Sequence, residues 1–199
     1  MASQVDICNL ALLQCGANPI TSISDPNKPG RTMATLWDTV RQAELRKRNW
    51  NFALSRASLP ALSTVPISQF DQQFQLPADF LRLVSVGDFY ADPALALYRN
   101  SDDSPYAIEG DILLTIFPAP LNIRYVADIT NPGIFDPLFV MVLASALALQ
   151  AVEPITQSST KKADIAQMYK DAVKEAMKAN AIERPPQGIP DSSWILSRL

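Results

Sequence analysis

Phe135-Asp-Pro-Leu-Phe-Val-Met-Val-Leu-Ala-Ser-Ala-Leu-Ala-Leu-Gln-Ala-Val152 is the stretch on which the fold turns. Asp136 can cap a helix, and Pro137 suits its first turn. From 138 to 152 the side chains are apolar nearly all round, which predicts a central helix buried on every side rather than along one stripe. The run comes closest of any to membrane-spanning length, but Asp136, Pro137 and Gln150 break it and much of the remainder is Ala. It therefore reads as a core helix and not as a bilayer span. Glu153-Pro154 is expected to stop it.

Such a helix needs neighbours to cover it. Ser3-Gln-Val-Asp6 predicts a helix start, a serine cap with an acid three residues on. Val5, Cys8, Ala11, Leu12 and Cys15 recur at helical spacing, and Gly16 supplies the stop. Pro19, Pro26, Pro29 and Gly30 mark the following residues as a loop. A second helix is expected over 31–48, with Met33, Leu36, Trp37 and Val40 as its apolar stripe. Another should open at Ser158–Thr160 and run to about residue 181, its inner face formed by Ile165, Ala166, Tyr169, Ala172, Val173, Ala176 and Met177.

Between these helices the pattern shortens to runs broken by Pro, Gly and Asp. Strands are expected at Asn51–Ser58, Phe80–Phe89, Ala94–Arg99, Tyr106–Ile108, Ile112–Ile116 and Leu121–Ala127. Glu109-Gly110-Asp111 reads as a hairpin turn. The fold class is α+β. A helical bundle body is built from residues 1–50 and 130–183, a small antiparallel β-region is inserted at 51–129 as its own lobe, and 184–199 form an extended C-terminal arm.

The arm reads Arg184-Pro-Pro-Gln-Gly-Ile-Pro-Asp-Ser-Ser-Trp-Ile-Leu-Ser-Arg-Leu199. Its prolines favour an extended path, and about ten leader residues at about 3.1 Å each would span roughly 30 Å. Trp194, Ile195, Leu196 and Leu199, with Arg198, are the candidate anchors. A terminus this apolar must pack somewhere, either back on its own body or on a neighbour.

Charge divides the chain in the same way. Residues 1–59 hold seven basic and four acidic side chains, residues 60–155 three and eleven, and residues 156–199 seven and five. The acidic middle should repel nucleic acid. Arg46, Lys47 and Arg48 form the one basic cluster. Cations suit the negative end of a helix dipole, and a contact with DNA or another subunit is the competing role. Arg82, Arg99 and Arg124 are expected as local ion-pair partners.

The chain contains no histidine, which removes Ser-His-Asp and Cys-His catalysis and histidine metal sites. Cys8 and Cys15 would sit about 10.5 Å apart along a helix, too far for a disulfide, and read as buried thiols. There is no phosphate-binding glycine motif, and no cofactor or metal is expected. Asp88, Asp92, Asp102 and Asp103 read as solvated turn acids; carboxylate catalysis on glycans is the enzymatic alternative. The N-terminus lacks the pattern of a signal peptide, so no export is expected.

The order of segments carries a resemblance. Ile7-Cys-Asn-Leu-Ala-Leu-Leu-Gln-Cys-Gly16, Pro19-Ile-Thr-Ser-Ile-Ser24, Leu36-Trp-Asp-Thr-Val-Arg41 and Leu45-Arg-Lys-Arg-Asn-Trp-Asn-Phe-Ala53 come first. Leu76-Pro-Ala-Asp-Phe-Leu-Arg-Leu83, Tyr125-Val-Ala-Asp-Ile-Thr130, Phe135-Asp-Pro-Leu-Phe139 and Ala151-Val-Glu-Pro-Ile-Thr156 follow. Together they resemble the tail tubular protein A family, the portal–tail adaptors (head–tail connectors) of short-tailed bacteriophages. The resemblance implies a structural virion protein, assembled in the host cytoplasm, at the portal–tail junction. It implies a dodecameric ring of self-copies that surrounds the DNA channel. The implied partners are the portal protein, the tail nozzle (tail tubular protein B-like) and genomic DNA passing without specific binding, with no membrane. The C-terminal segment would extend along the portal. Some family members have been suggested to degrade bacterial polysaccharide, but no residue of this chain is assigned to that chemistry.

Overall fold

A computed structural model describes residues 2–67, 70–87, 89–90 and 105–183. The expected strand Ala94–Arg99 and the whole arm from Arg184 lie outside the described residues. Four helices carry the body: α1 (Gln4–Cys15), α2 (Lys28–Lys47), α3 (Pro137–Thr156) and α4 (Ser159–Ile182). Among the described residues, seven strands lie between α2 and α3: β1 (Leu54–Leu59), β2 (Gln72–Gln75), β3 (Phe80–Val86), β4 (Phe89–Tyr90), β5 (Tyr106–Glu109), β6 (Ile112–Thr115) and β7 (Leu121–Ala127). The fold is α+β.

α3 is the axis of the body. α1, α2 and α4 all pack on it, and eleven of its residues from Phe139 to Val152 are buried. It is long and apolar enough to cross a membrane, yet most of it is covered within the body. Asp136 caps it as expected, accepting from Leu138 N at 2.8 Å and Phe139 N at 3.2 Å. The stop differs from the expectation. The helix runs through Pro154 to Thr156 and ends where Gln157 turns left-handed at φ 55°. A proline so near the C-terminus removes a single ladder bond, and little helix remains beyond it to be broken.

α1 has the expected box. Asp6 N donates to Ser3 Oγ, and Ser3 N donates to the Asp6 carboxylate. Gly16 closes it at φ 70°, a conformation that a Cβ would strain. α2 begins earlier than expected, at Lys28. Asn27 is the cap, and Pro29, expected in the loop, occupies the first turn, where its missing N–H is no loss. α4 opens under Ser158. Its expected inner face is only partly covered: Ile165 and Ala176 are buried, Tyr169, Ala172 and Val173 are half-buried, and Met177 is exposed.

The strands form two antiparallel sheets, ordered β1-β7-β3-β4 and β2-β6-β5. A 3-10 turn, Asn51–Ala53, replaces the start of the first expected strand, and the expected Phe80–Phe89 strand divides at Gly87 into β3 and β4. β2 was not expected. The hairpin was, and Gly110 sits in its turn at φ 62° with Glu109 opposite Ile112. One face of the larger sheet, with Leu83, Leu121, Ile123 and Tyr125, joins Phe74 and Leu113 of the smaller sheet in a core of its own. The other face gives Val84 and Val126 to the helical core. The insertion thus encloses a core of its own on one side and adds side chains to the helical core on the other.

Candidate functional site

Two features of the body bear on recognition: a clamp at the end of α4 and a groove beside α2.

The clamp forms where the chain leaves α2 and crosses under the last turn of α4. Asn51 N donates to Asn180 Oδ1 at 2.9 Å, and Asn51 Nδ2 donates to Asn180 O at 2.9 Å and Glu183 Oε2 at 3.3 Å. Asn180 Nδ2 donates in turn to Asn49 O at 3.0 Å. Trp50, between the two asparagines, is buried and donates through Nε1 to Glu44 O at 3.0 Å. Its ring lies 5.0 Å from that of Phe139, which also meets Phe52 at 5.0 Å and Phe135 at 5.2 Å. A cleft of about 210 Å³ opens beside this quartet, lined by Trp50, Phe52, Ile134, Asp136, Asn180 and Glu183. The clamp fixes Glu183, the last of the described residues. Sequence reasoning did not find it, because no spacing links an asparagine near residue 50 to one near 180.

The structure separates the roles of the basic cluster. Arg46 donates to Leu81 O and so ties α2 to β3. Lys47 pairs with Glu44, and its ammonium lies 5.6 Å from the centre of the Tyr169 ring. Arg48 Nη1 is 3.9 Å from the same carboxylate. Glu44 is only 2 % exposed, and Tyr169 OH lies 3.1 and 3.0 Å from its two oxygens. Burial works against the charge on Lys47, but the Glu44 carboxylate and the Tyr169 hydroxyl outweigh it and hold its pKa above 10.5. All three cations have partners within the chain, and a phosphate would have to compete with those partners. The spacing from Glu44 to Lys47 and Arg48, three and four residues, was an available signal for this pairing.

Past the Glu44–Tyr169 bridge, α2 and α4 stand apart over α3. They leave a groove of about 310 Å³ with Leu36, Val40 and Ala43 on one wall and Ala146 and Leu149 on the floor.

Among the described residues, no three of His, Cys, Asp and Glu come together to hold a metal. Burial pushes the Cys8 thiol up to about 12. Burial also raises Cys15, against the opposing charge of Lys161. Both thiols are buried, which disfavours the thiolate. Arg82 donates to Arg46 O and to Asn49 Oδ1, strengthening the junction of α2 and β3. Arg124 stands opposite Arg56 across β7 and β1. Asp88, Asp92, Arg99, Asp102 and Asp103 lie outside the described residues, as do Trp194, Ile195, Leu196, Arg198 and Leu199.

No protein-family model matches this chain, and no curated protein sequence matches it.

Proposed function

We propose that this protein is a non-enzymatic structural adaptor of a short-tailed bacteriophage, a ring-forming subunit that joins portal to tail nozzle around the DNA channel. The observation that carries the reading is the ordered set of segments resembling the tail tubular protein A family. Those segments coincide with the working parts of the body. Ile7–Gly16 supplies the buried face of α1, Leu45–Ala53 the clamp crossing, Tyr125–Thr130 the end of β7 with its Asp128 anchor, and Phe135–Phe139 the capped start of α3. The clamped root at Glu183, followed by a proline-spaced leader and an apolar end, suits a subunit that reaches for a neighbour.

Native mass measurement, alone and with a portal ring, tests this. Portal should recruit multiple copies, and a chain ending at residue 184 should keep its cooperative melt but fail to join. The intact protein should bind duplex DNA poorly at physiological salt, because the acidic middle releases no counterions from phosphate. A monomer that ignores portal and cleaves bacterial polysaccharide would overturn the proposal.

A further inference from the structure

The groove between α2 and α4 is a mostly apolar surface with a definite length. Leu36 and Lys47 stand eleven positions apart on α2, so the groove extends about 16 Å. Tyr169 and Glu44, bonded to each other, line the groove toward the end nearer Glu183. Ala43 and Ala146 are small, and between them an aromatic ring can approach the helix backbones.

We propose that this groove holds the C-terminal segment of the same chain whenever no partner takes that segment, with Trp194 seated between Ala43 and Ala146.

The reach fits. Asn180 and Glu183 are fixed to Asn49 and Asn51, on the α2 side of α4. From Glu183 back to Tyr169 is fourteen residues of helix, about 21 Å. Residues 184–193, stiffened by Pro185, Pro186 and Pro190, span about 31 Å when extended. The leader is therefore long enough, with about 10 Å to spare, to carry Trp194 past the Tyr169 bridge and into the groove. Ile195, Leu196 and Leu199 then run toward Leu36 and Leu149. The chemistry fits as well: four large apolar side chains among the last six residues meet an apolar trough. The occupant is the chain's own end because a short tether gives it an effective concentration of about millimolar, far above that of a neighbour in dilute solution. The inference stands on groove and tether alone, so it succeeds or fails independently of the adaptor reading.

Disulfide trapping in the full chain tests it. Ala43→Cys is combined with Ser193→Cys; the native Cys8 and Cys15 are buried and stay silent. Met141→Cys with Ser193→Cys is the control. Met141 is exposed and lies five residues past Asp136, close to the root of the arm, so an unanchored tether would favour it. Oxidation at low protein concentration should give a reducible, monomeric cross-link in the Ala43→Cys pair about tenfold faster than in the control. Adding Trp194→Ala should bring that rate down to the control. Equal rates in the two pairs, cross-linked dimers in place of monomers, or a rate indifferent to Trp194→Ala would each overturn the proposal.

Discussion

The helical body and the β-insertion use the same kinds of side chain to different effect. In the body, one helix buried on nearly every side gathers three others, and buried polar groups such as Glu44 and Arg41 find partners there. In the insertion, strands of two to seven residues make two small sheets around ten buried side chains, while Val65, Ile67, Ile108 and Ile116 remain exposed. The body is assembled from chain segments separated by the whole insertion, so its stability depends on long-range packing on α3. The insertion is attached at one sheet face and a few polar ties. The division suggests a frame that must hold its shape and a display surface supported by it.

Truncating Phe139 should have the largest effect. It is fully buried among Trp50, Phe52 and Phe135, and Phe139→Ala should cost about 3–5 kcal/mol in global unfolding. Phe74→Ala removes an equally buried ring from the insertion. Its loss should appear in hydrogen exchange as opening of β2, β5 and β6, with α3 still protected. Equal loss of protection in α3 would show that the two regions unfold as one, and the comparison would fail.

The tie between the regions comes next. Arg41, 2 % exposed, bonds Asp128 at the end of β7 and donates to Ile129 O at 2.7 Å. Gln42 donates to the same carboxylate at 2.8 Å. Arg41→Leu leaves the Ile129 carbonyl without this donor and the Asp128 carboxylate with Gln42 alone, and should cost about 3 kcal/mol by urea unfolding. Asp128→Asn, which keeps an acceptor oxygen, should cost only about 1 kcal/mol. The reverse order would mean that leaving the Arg41 guanidinium without an opposing charge costs more than leaving its acceptors without a donor.

What the sequence made legible were features with local causes. Ser3 with Asp6, Asp136 with Pro137, and Ser158 each announce a helix start, because a cap bonds its own first turn. α3 is legible from composition. β2 is not: Gln72-Gln-Phe-Gln75 has one apolar residue, and it becomes a strand because β6 offers it a partner and Phe74 a core. Pro29 and Pro154 look like breakers in the sequence, since their position within a first or last turn is set by the surrounding fold. The clamp and the Arg41–Asp128 tie join residues 129 and 87 positions apart, and nothing in either segment names the other. The basic cluster was visible at once, whereas the buried Glu44 that organises two of its members looked like an ordinary helix acid.

A smaller effect sharpens the picture on the α4 side of the body. Tyr169→Phe removes the hydroxyl that meets Glu44 and should cost about 1.5 kcal/mol. Lys47 keeps part of the pairing. Its folded pKa lies above the ordinary 10.5, so its contribution is full below that pH and is lost as pH rises through the higher folded value. The stability gap between the natural chain and Lys47→Met should therefore narrow only above pH 10.5. A gap already closing near neutrality would mean that Lys47 is not held by Glu44.

The smallest expected effect lies at the first helix, where the body meets solvent. Twelve residues make a marginal helix alone, and α1 persists because Ile7, Cys8, Ala11, Leu12 and Cys15 are buried in the body. Its cap should then adjust stability without deciding it. The Asp6 carboxylate accepts from Ser3 N at 2.9 Å and from Ser3 Oγ at 2.8 Å, and these bonds, the backbone one foremost, hold its pKa below 3.8. A depressed acid stabilises the fold fully above its unfolded value, and the contribution fades as pH falls through the lower folded value. Asp6→Asn should be slightly less stable than the natural chain at neutral pH, and the two should converge below pH 3.8. Thermal melts across that range decide it. A gap that persists in acid would show that the carboxylate acts by shape rather than charge. A loss as large as that of Phe139→Ala would show that the edge of the body, and not its α3 core, limits its stability.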